Sequence, residues 1–173
     1  MKIRLKDIHP DLRPMAALMR AFYPSSFSEG MLRAADRLQS RFGTGKPFGK
    51  KVKYEQIFVP RTDGSPLRLC LYMPPEGCHN APGLLWMHGG GYALGLPEQD
   101  YAFIERFVLA SGCFVVAPDY RKSTKAPYPA ALHDCYQALL WLKEYGTSYG
   151  ARKDQIFIGG DSAGGGLCAA LSL

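Results

Sequence analysis

Beyond residue 73 the chain alternates short apolar runs with helical stretches, and this alternation constrains its fold more than any other feature. Gly83-Leu84-Leu85-Trp86-Met87, Cys113-Phe114-Val115-Val116-Ala117 and Gln155-Ile156-Phe157-Ile158 are runs of buried-strand type. Residues 98–111 and 129–146 read as helices between them, and residues 163–173 begin another. Strands apolar along nearly their whole length have no solvent side, so they belong to a parallel sheet covered by helices on both faces. An α/β fold is expected.

Upstream the periodicity differs. Residues 52–59 and 66–73 alternate with period 2, as in Leu67, Leu69, Leu71 and Met73 against Arg68, Cys70 and Tyr72. Arg61-Thr62-Asp63-Gly64-Ser65 joins them with Asp-Gly turn chemistry, which predicts an antiparallel hairpin. From about Pro10 to Phe42 the period is helical: Leu12, Met15, Leu18, Met19 and Phe22 form one set, and Met31, Leu32, Ala35 and Leu38 another. Pro24-Ser25-Ser26 separates the two helices, Ser28 with Glu29 opens the second, and Gly43, Gly45, Pro47 and Gly49 make a flexible connection.

A chain of 173 residues suits one domain with a sizeable core. The Met1–Asp7 segment has basic residues but no apolar stretch of secretory type behind them, and no membrane span is found. Five cysteines, Cys70, Cys78, Cys113, Cys135 and Cys168, are widely spaced without a C-x-x-C pair. That argues against a disulfide framework or zinc site and favours a reducing cytoplasm. Residues 1–53 carry a net +8 and the remainder −2. These basic charges are dispersed at helical spacing with no interleaved aromatic motif, so they read as a solvated helix face and no nucleic-acid partner is expected.

Two motifs carry chemistry. Gly160-Asp161-Ser162-Ala163-Gly164 satisfies G-x-S-x-G directly after an expected strand and before an expected helix, the setting this motif requires. A serine on so sharp a turn needs neighbours without side chains, and the N–H of Ala163 falls at a helix N-terminus, where donors are free. The second motif is His88-Gly89-Gly90-Gly91, directly after Met87. Consecutive glycines let backbone N–H groups converge on an oxyanion formed during acyl transfer. A dinucleotide G-x-G-x-x-G fails because position 94 is Leu, and no Lys-Ser/Thr follows to make a phosphate loop. No metal or cofactor is expected.

These residues together resemble the hormone-sensitive-lipase-like esterases of the α/β-hydrolase fold. HGGGY at 88–92, PDYRKSTKAPYPAALHD at 118–134 and GDSAGGG at 160–166 carry the resemblance. It implies a mostly parallel sheet with residues 1–50 as an N-terminal helical cap and 51–173 as the N-terminal portion of the hydrolase core. Further strands would lie beside 155–158. It also implies a carboxylic ester hydrolase acting through a serine acyl-enzyme on small, short-acyl esters. Ser162 would be the nucleophile, with Gly90, Gly91 and Ala163 donating to the oxyanion and Gly89 shaping the loop. His88 would anchor the loop backbone, Tyr92 line the substrate pocket and Asp161 support the elbow.

Two departures stand out. Such esterases typically read Tyr-Arg-Leu-Ala-Pro-Glu where this chain has Tyr120-Arg121-Lys122-Ser123-Thr124-Lys125, so an ion pair from the last position to Arg121 is not expected. Chain order in this fold is Ser, then Asp or Glu, then His, and the 11 residues after Ser162 include neither an acid nor a His. His133-Asp134 reads as an ordinary helix-surface pair, and His9 and His79 lie in polar loops. The triad Asp and His, with the C-terminal part of the domain, are therefore expected outside this chain, supplied by further sequence or a paired second half; failing that, self-association would cover the exposed sheet edge. A non-catalytic hydrolase-fold binder, or an inactive fragment, is the alternative.

Overall fold

A computed structural model of the protein describes residues 3–22 and 26–173. Among these residues five strands form one sheet in the order β1-β2-β4-β3-β5. They are β1 Lys53–Pro60, β2 Pro66–Met73, β3 Ala81–Met87, β4 Phe114–Pro118 and β5 Ala151–Gly160. The β1–β2 hairpin is antiparallel, with Lys53 opposite Met73 and Pro60 opposite Pro66. β2 also runs antiparallel to β4, whereas β3 is parallel to both β4 and β5. Four strands thus point one way and β2 opposes them.

The alternation in β2 sorts its side chains between two covered faces. Leu67, Leu69, Leu71 and Met73 join Leu85, Met87, Phe114 and Val116 under α4 (Ala130–Tyr145) and α5 (Ala163–Leu171). Cys70 and Tyr72 join Val115 and Ala117 under Tyr101, Ile104 and Val108 of α3 (Tyr101–Ser111). Both faces of β2 are buried because helices cover the sheet on each side there. At the far edge β5 pairs with β3 alone among the described residues, and Phe157 on it is 58% exposed.

The two N-terminal helices are α1 Arg13–Phe22 and α2 Glu29–Gly43. Ser28 caps α2 by accepting the Met31 N–H at 3.2 Å. Pro24 and Ser25, part of the break between the helices, lie outside the described residues. The packing of α2 is the reverse of what its apolar period suggests. Asp36 is buried and Gln39 and Ser40 are half-buried, while Met31, Leu38 and Phe42 are exposed. Its inward neighbours are charged and amide groups in loops, and a carboxylate rather than a leucine satisfies them. In the described residues no helix is long and apolar enough to cross a membrane.

Candidate active site

Strands β3 and β5 end side by side, with Met87 opposite Gly160. The loops that follow emerge together at the carboxyl ends of parallel strands, where open α/β sheets place their sites. One is His88–Tyr92, and the other is the turn Gly160–Ser162 into α5.

Ser162 occupies φ +50°, ψ −112°, a strained conformation for an L residue. Three backbone bonds hold it there. Asp161 N–H donates to Met87 O at 3.2 Å, Gly164 N–H to Asp161 O at 2.7 Å, and Gly166 N–H to Ser162 O at 3.2 Å. The flanking glycines answer to close approach. A Cβ on Gly164 would collide with the Met87 carbonyl, and one on Gly160 would lie 2.6 Å from the Gly164 carbonyl carbon. Ser162 is left exposed, with Ala163 opening α5 behind it. The N–H groups of that first turn have no intrahelical acceptor and form the positive end of the helix dipole.

The glycine loop lies against this turn: a Cβ on Gly89 would sit 2.7 Å from Asp161 Oδ2 and 3.4 Å from Ser162 Cβ. Gly90, Gly91 and Tyr92 take φ +126°, +60° and +59° in succession. A Cβ on Gly90 would strike the Leu94 carbonyl, whereas Gly91 faces open space and is required by its φ alone. Among the described residues neither the Gly90 nor the Gly91 N–H meets a backbone acceptor.

His88 is 1% exposed, stacked at 4.2 Å on Tyr120, and its Nδ1–H donates to Gly89 O at 2.8 Å. Its buried Nε2 has no partner among the described residues. Burial pushes the imidazole down from 6.5 to about 4, outweighing the bond to Gly89, which raises it. His88 is therefore neutral in the fold and serves as a wedge under the loop. The unfolded chain binds the extra proton between about pH 4 and 6.5, so this contribution to stability is complete above 6.5 and is lost as pH falls toward 4. Urea titrations across that window are expected to lose up to roughly 1.4 kcal/mol per pH unit from this group. A His88→Asn variant should show a flatter pH dependence, and an unchanged slope would remove His88 as the source.

Tyr92 borders a cavity of about 370 Å³, lined also by Tyr128, Leu132, Leu167 and Ala170, one turn along α5 from Ser162. The Tyr92 hydroxyl approaches α5 at Gly166, where a Cβ would collide with it. Asp134 is not the helix-surface carboxylate expected. It is 1% exposed and bridges Arg61 at 2.9 Å and Arg121 at 2.8 Å. The fold brings β2's neighbouring turn and the loop after β4 over α4, and two guanidinium groups there offset the desolvation of the acid. His133, next to it, is exposed. Lys125 pairs with Asp36 at 3.2 Å. Sequence reasoning also missed the buried Arg68–Glu98 pair at 2.5 Å and the Asp36–Lys122 pair. Nothing local to these residues marks partners so far away in the chain.

A family profile described as alpha/beta hydrolase fold matches residues 84–173. The carboxylesterase NlhH of Mycobacterium tuberculosis is 28% identical over 165 residues, covering 94% of this chain and 51% of its own length. Bovine (Bos taurus) hormone-sensitive lipase is 30% identical over 126 residues, covering 72% of this chain and 16% of its own. A fungal esterase from Rhizomucor miehei superposes with a TM-score of 0.76 at 28% identity, across 95% of this chain and 51% of that one. The chain spans about half the length, or less, of these relatives.

Proposed function

The chain belongs to the α/β-hydrolase fold family, with the hormone-sensitive-lipase-like esterases, and from that premise we propose that it forms the nucleophile and oxyanion half of a serine carboxylesterase. One observation carries the reading: an exposed Ser162 at φ +50° heads a helix, and the glycine loop lies against it at Gly89, followed by the Gly90 and Gly91 N–H groups, which meet no backbone acceptor among the described residues. Ser162 Oγ attacks the ester carbonyl carbon, and the N–H groups of Gly90, Gly91 and Ala163 take the charge that develops on the oxygen. The carbonyl–alkoxy bond breaks, the alcohol leaves, and water releases the acid from the acyl-enzyme. In this fold the carboxylate and His that drive the proton transfers follow the nucleophile in chain order, and sequence after residue 173 is proposed to supply them. Asp161 supports the elbow through its contact with the glycine loop, and residues 1–50 form the cap.

The small apolar cavity beside Tyr92 suits short acyl chains. With p-nitrophenyl esters of rising chain length, the full-length protein is expected to turn over acetate and butyrate fastest and to accumulate an acylated form by intact mass. Rates that rise steadily with chain length would overturn the short-acyl assignment. Absence of both turnover and acylation would make the pocket a binding site instead. The five free thiols favour a reducing compartment such as the cytoplasm.

The sheet edge bears on how residues 1–173 behave when taken alone. An unpaired, partly apolar strand is a template for pairing, and β5 offers one beside the exposed Phe157. Residues 1–173 expressed alone are expected to self-associate, giving a light-scattering mass above that of one chain. A stable monomer would show that the edge is otherwise protected.

A further inference from the structure

The inward side of α2 meets a run of buried charge. Asp36 is 3% exposed, with Oδ1 3.1 Å from Lys122 Nζ and Oδ2 3.2 Å from Lys125 Nζ. Lys122, 2% exposed, also meets Asp119 Oδ1 at 3.4 Å. Asp119 takes Arg68 at 3.1 Å, and Arg68 takes Glu98. Alternating charge therefore runs without a gap from α2 into β2. Desolvation cancels much of the attraction in such a network, so its stabilising contribution is small, while a broken pair is costly. The arrangement specifies a geometry.

That geometry is the glycine loop's. The segment bearing Asp119 and Lys122 is fastened to both ends of His88–Tyr92: the Tyr120 hydroxyl donates to His88 O at 2.7 Å, and Ser123 N–H donates to Tyr92 O at 2.7 Å. Lys122 lies between these two attachments. One turn along α2, Gln39 works on the other flank. Its Oε1 accepts the Gly95 N–H at 3.0 Å, its amide donates to Gln99 at 3.1 Å, and the Gln99 amide donates to Gly89 O at 3.2 Å. Residues three apart on a helix share a face, so a single side of α2 grips the loop from both flanks. The Lys122 and Lys125 departures from the usual esterase block find their partner here, in Asp36.

We propose that Asp36 and Gln39 are positioning residues, through which α2 holds the Gly90 and Gly91 donors in register with Ser162. The second N-terminal helix then sets transition-state binding through the loop it holds. The kinetic half of this inference rests on the esterase reading; the structural half does not.

In the full-length protein, Asp36→Asn is expected to raise amide hydrogen exchange across residues 89–95 at least tenfold, with strands β2 to β4 still protected. It is also expected to lower kcat roughly 10–100-fold with KM within about twofold, as a displaced donor would. Asp36→Glu should recover most of both. Gln39→Leu removes no buried charge and keeps the comparison open if Asp36→Asn does not fold; it should loosen the same segment. Unchanged exchange across 89–95 in the variants that fold would overturn the proposal, as would a loss confined to KM. Loosened exchange in a protein whose turnover survives Ser162→Ala would leave the clamp standing and remove the esterase reading.

Discussion

Replacing Ser162 with alanine is expected to lower kcat on a p-nitrophenyl ester by on the order of 10⁴–10⁶ while KM changes little. The size follows from the role. Without Oγ no acyl-enzyme forms, and only the oxyanion donors and substrate binding remain to accelerate attack by water. Folding should be little affected, because Ser162 is exposed and alanine keeps the same Cβ at φ +50°. Stoichiometric labelling by a fluorophosphonate should vanish in the same variant. Undiminished labelling, with turnover intact, would move the nucleophile elsewhere.

Gly90→Ala is expected to cost about 10²–10³ in kcat, with KM within a few-fold. Two effects combine at this position. Its φ of +126° is closed to residues with a Cβ, and the added methyl would strike the Leu94 carbonyl, so the loop must move and carry its N–H away. Gly91→Ala is the informative partner. Its φ of +60° lies in the left-handed region and the surrounding space is empty, so the strain is about 1–2 kcal/mol and the loop can stay in place. A smaller loss at Gly91 than at Gly90 is the expected order, measured by steady-state kinetics on both variants. Equal losses, or losses in KM alone, would mean that these glycines shape the ground-state pocket instead of binding an oxyanion.

The apolar runs at 83–87, 113–117 and 155–158 were enough to define a helix-covered sheet, because strands without a polar side have few other places to go. The two motifs also located their loops, since each follows such a run directly and requires glycines wherever backbone passes backbone. That the loops touch depended on strand order: β3 and β5 are neighbours although 63 residues separate Met87 from Ala151 along the chain.

The local pattern of residues 1–173 thus determined by itself the α/β class, the β1–β2 hairpin, the helix start at Ser28 and the elbow around Ser162. Periodicity shows that a helix has an apolar side but not which side docks, and α2 turns its Asp36 side inward. Nor does a motif announce that His88 is held neutral, or that Asp134 is buried between Arg61 and Arg121. Those outcomes belonged to the tertiary structure, because a buried charge is tolerated only where an opposite charge arrives beside it. Asp36 and Lys122 stand far apart in sequence, and only the completed fold brings them within 3.1 Å.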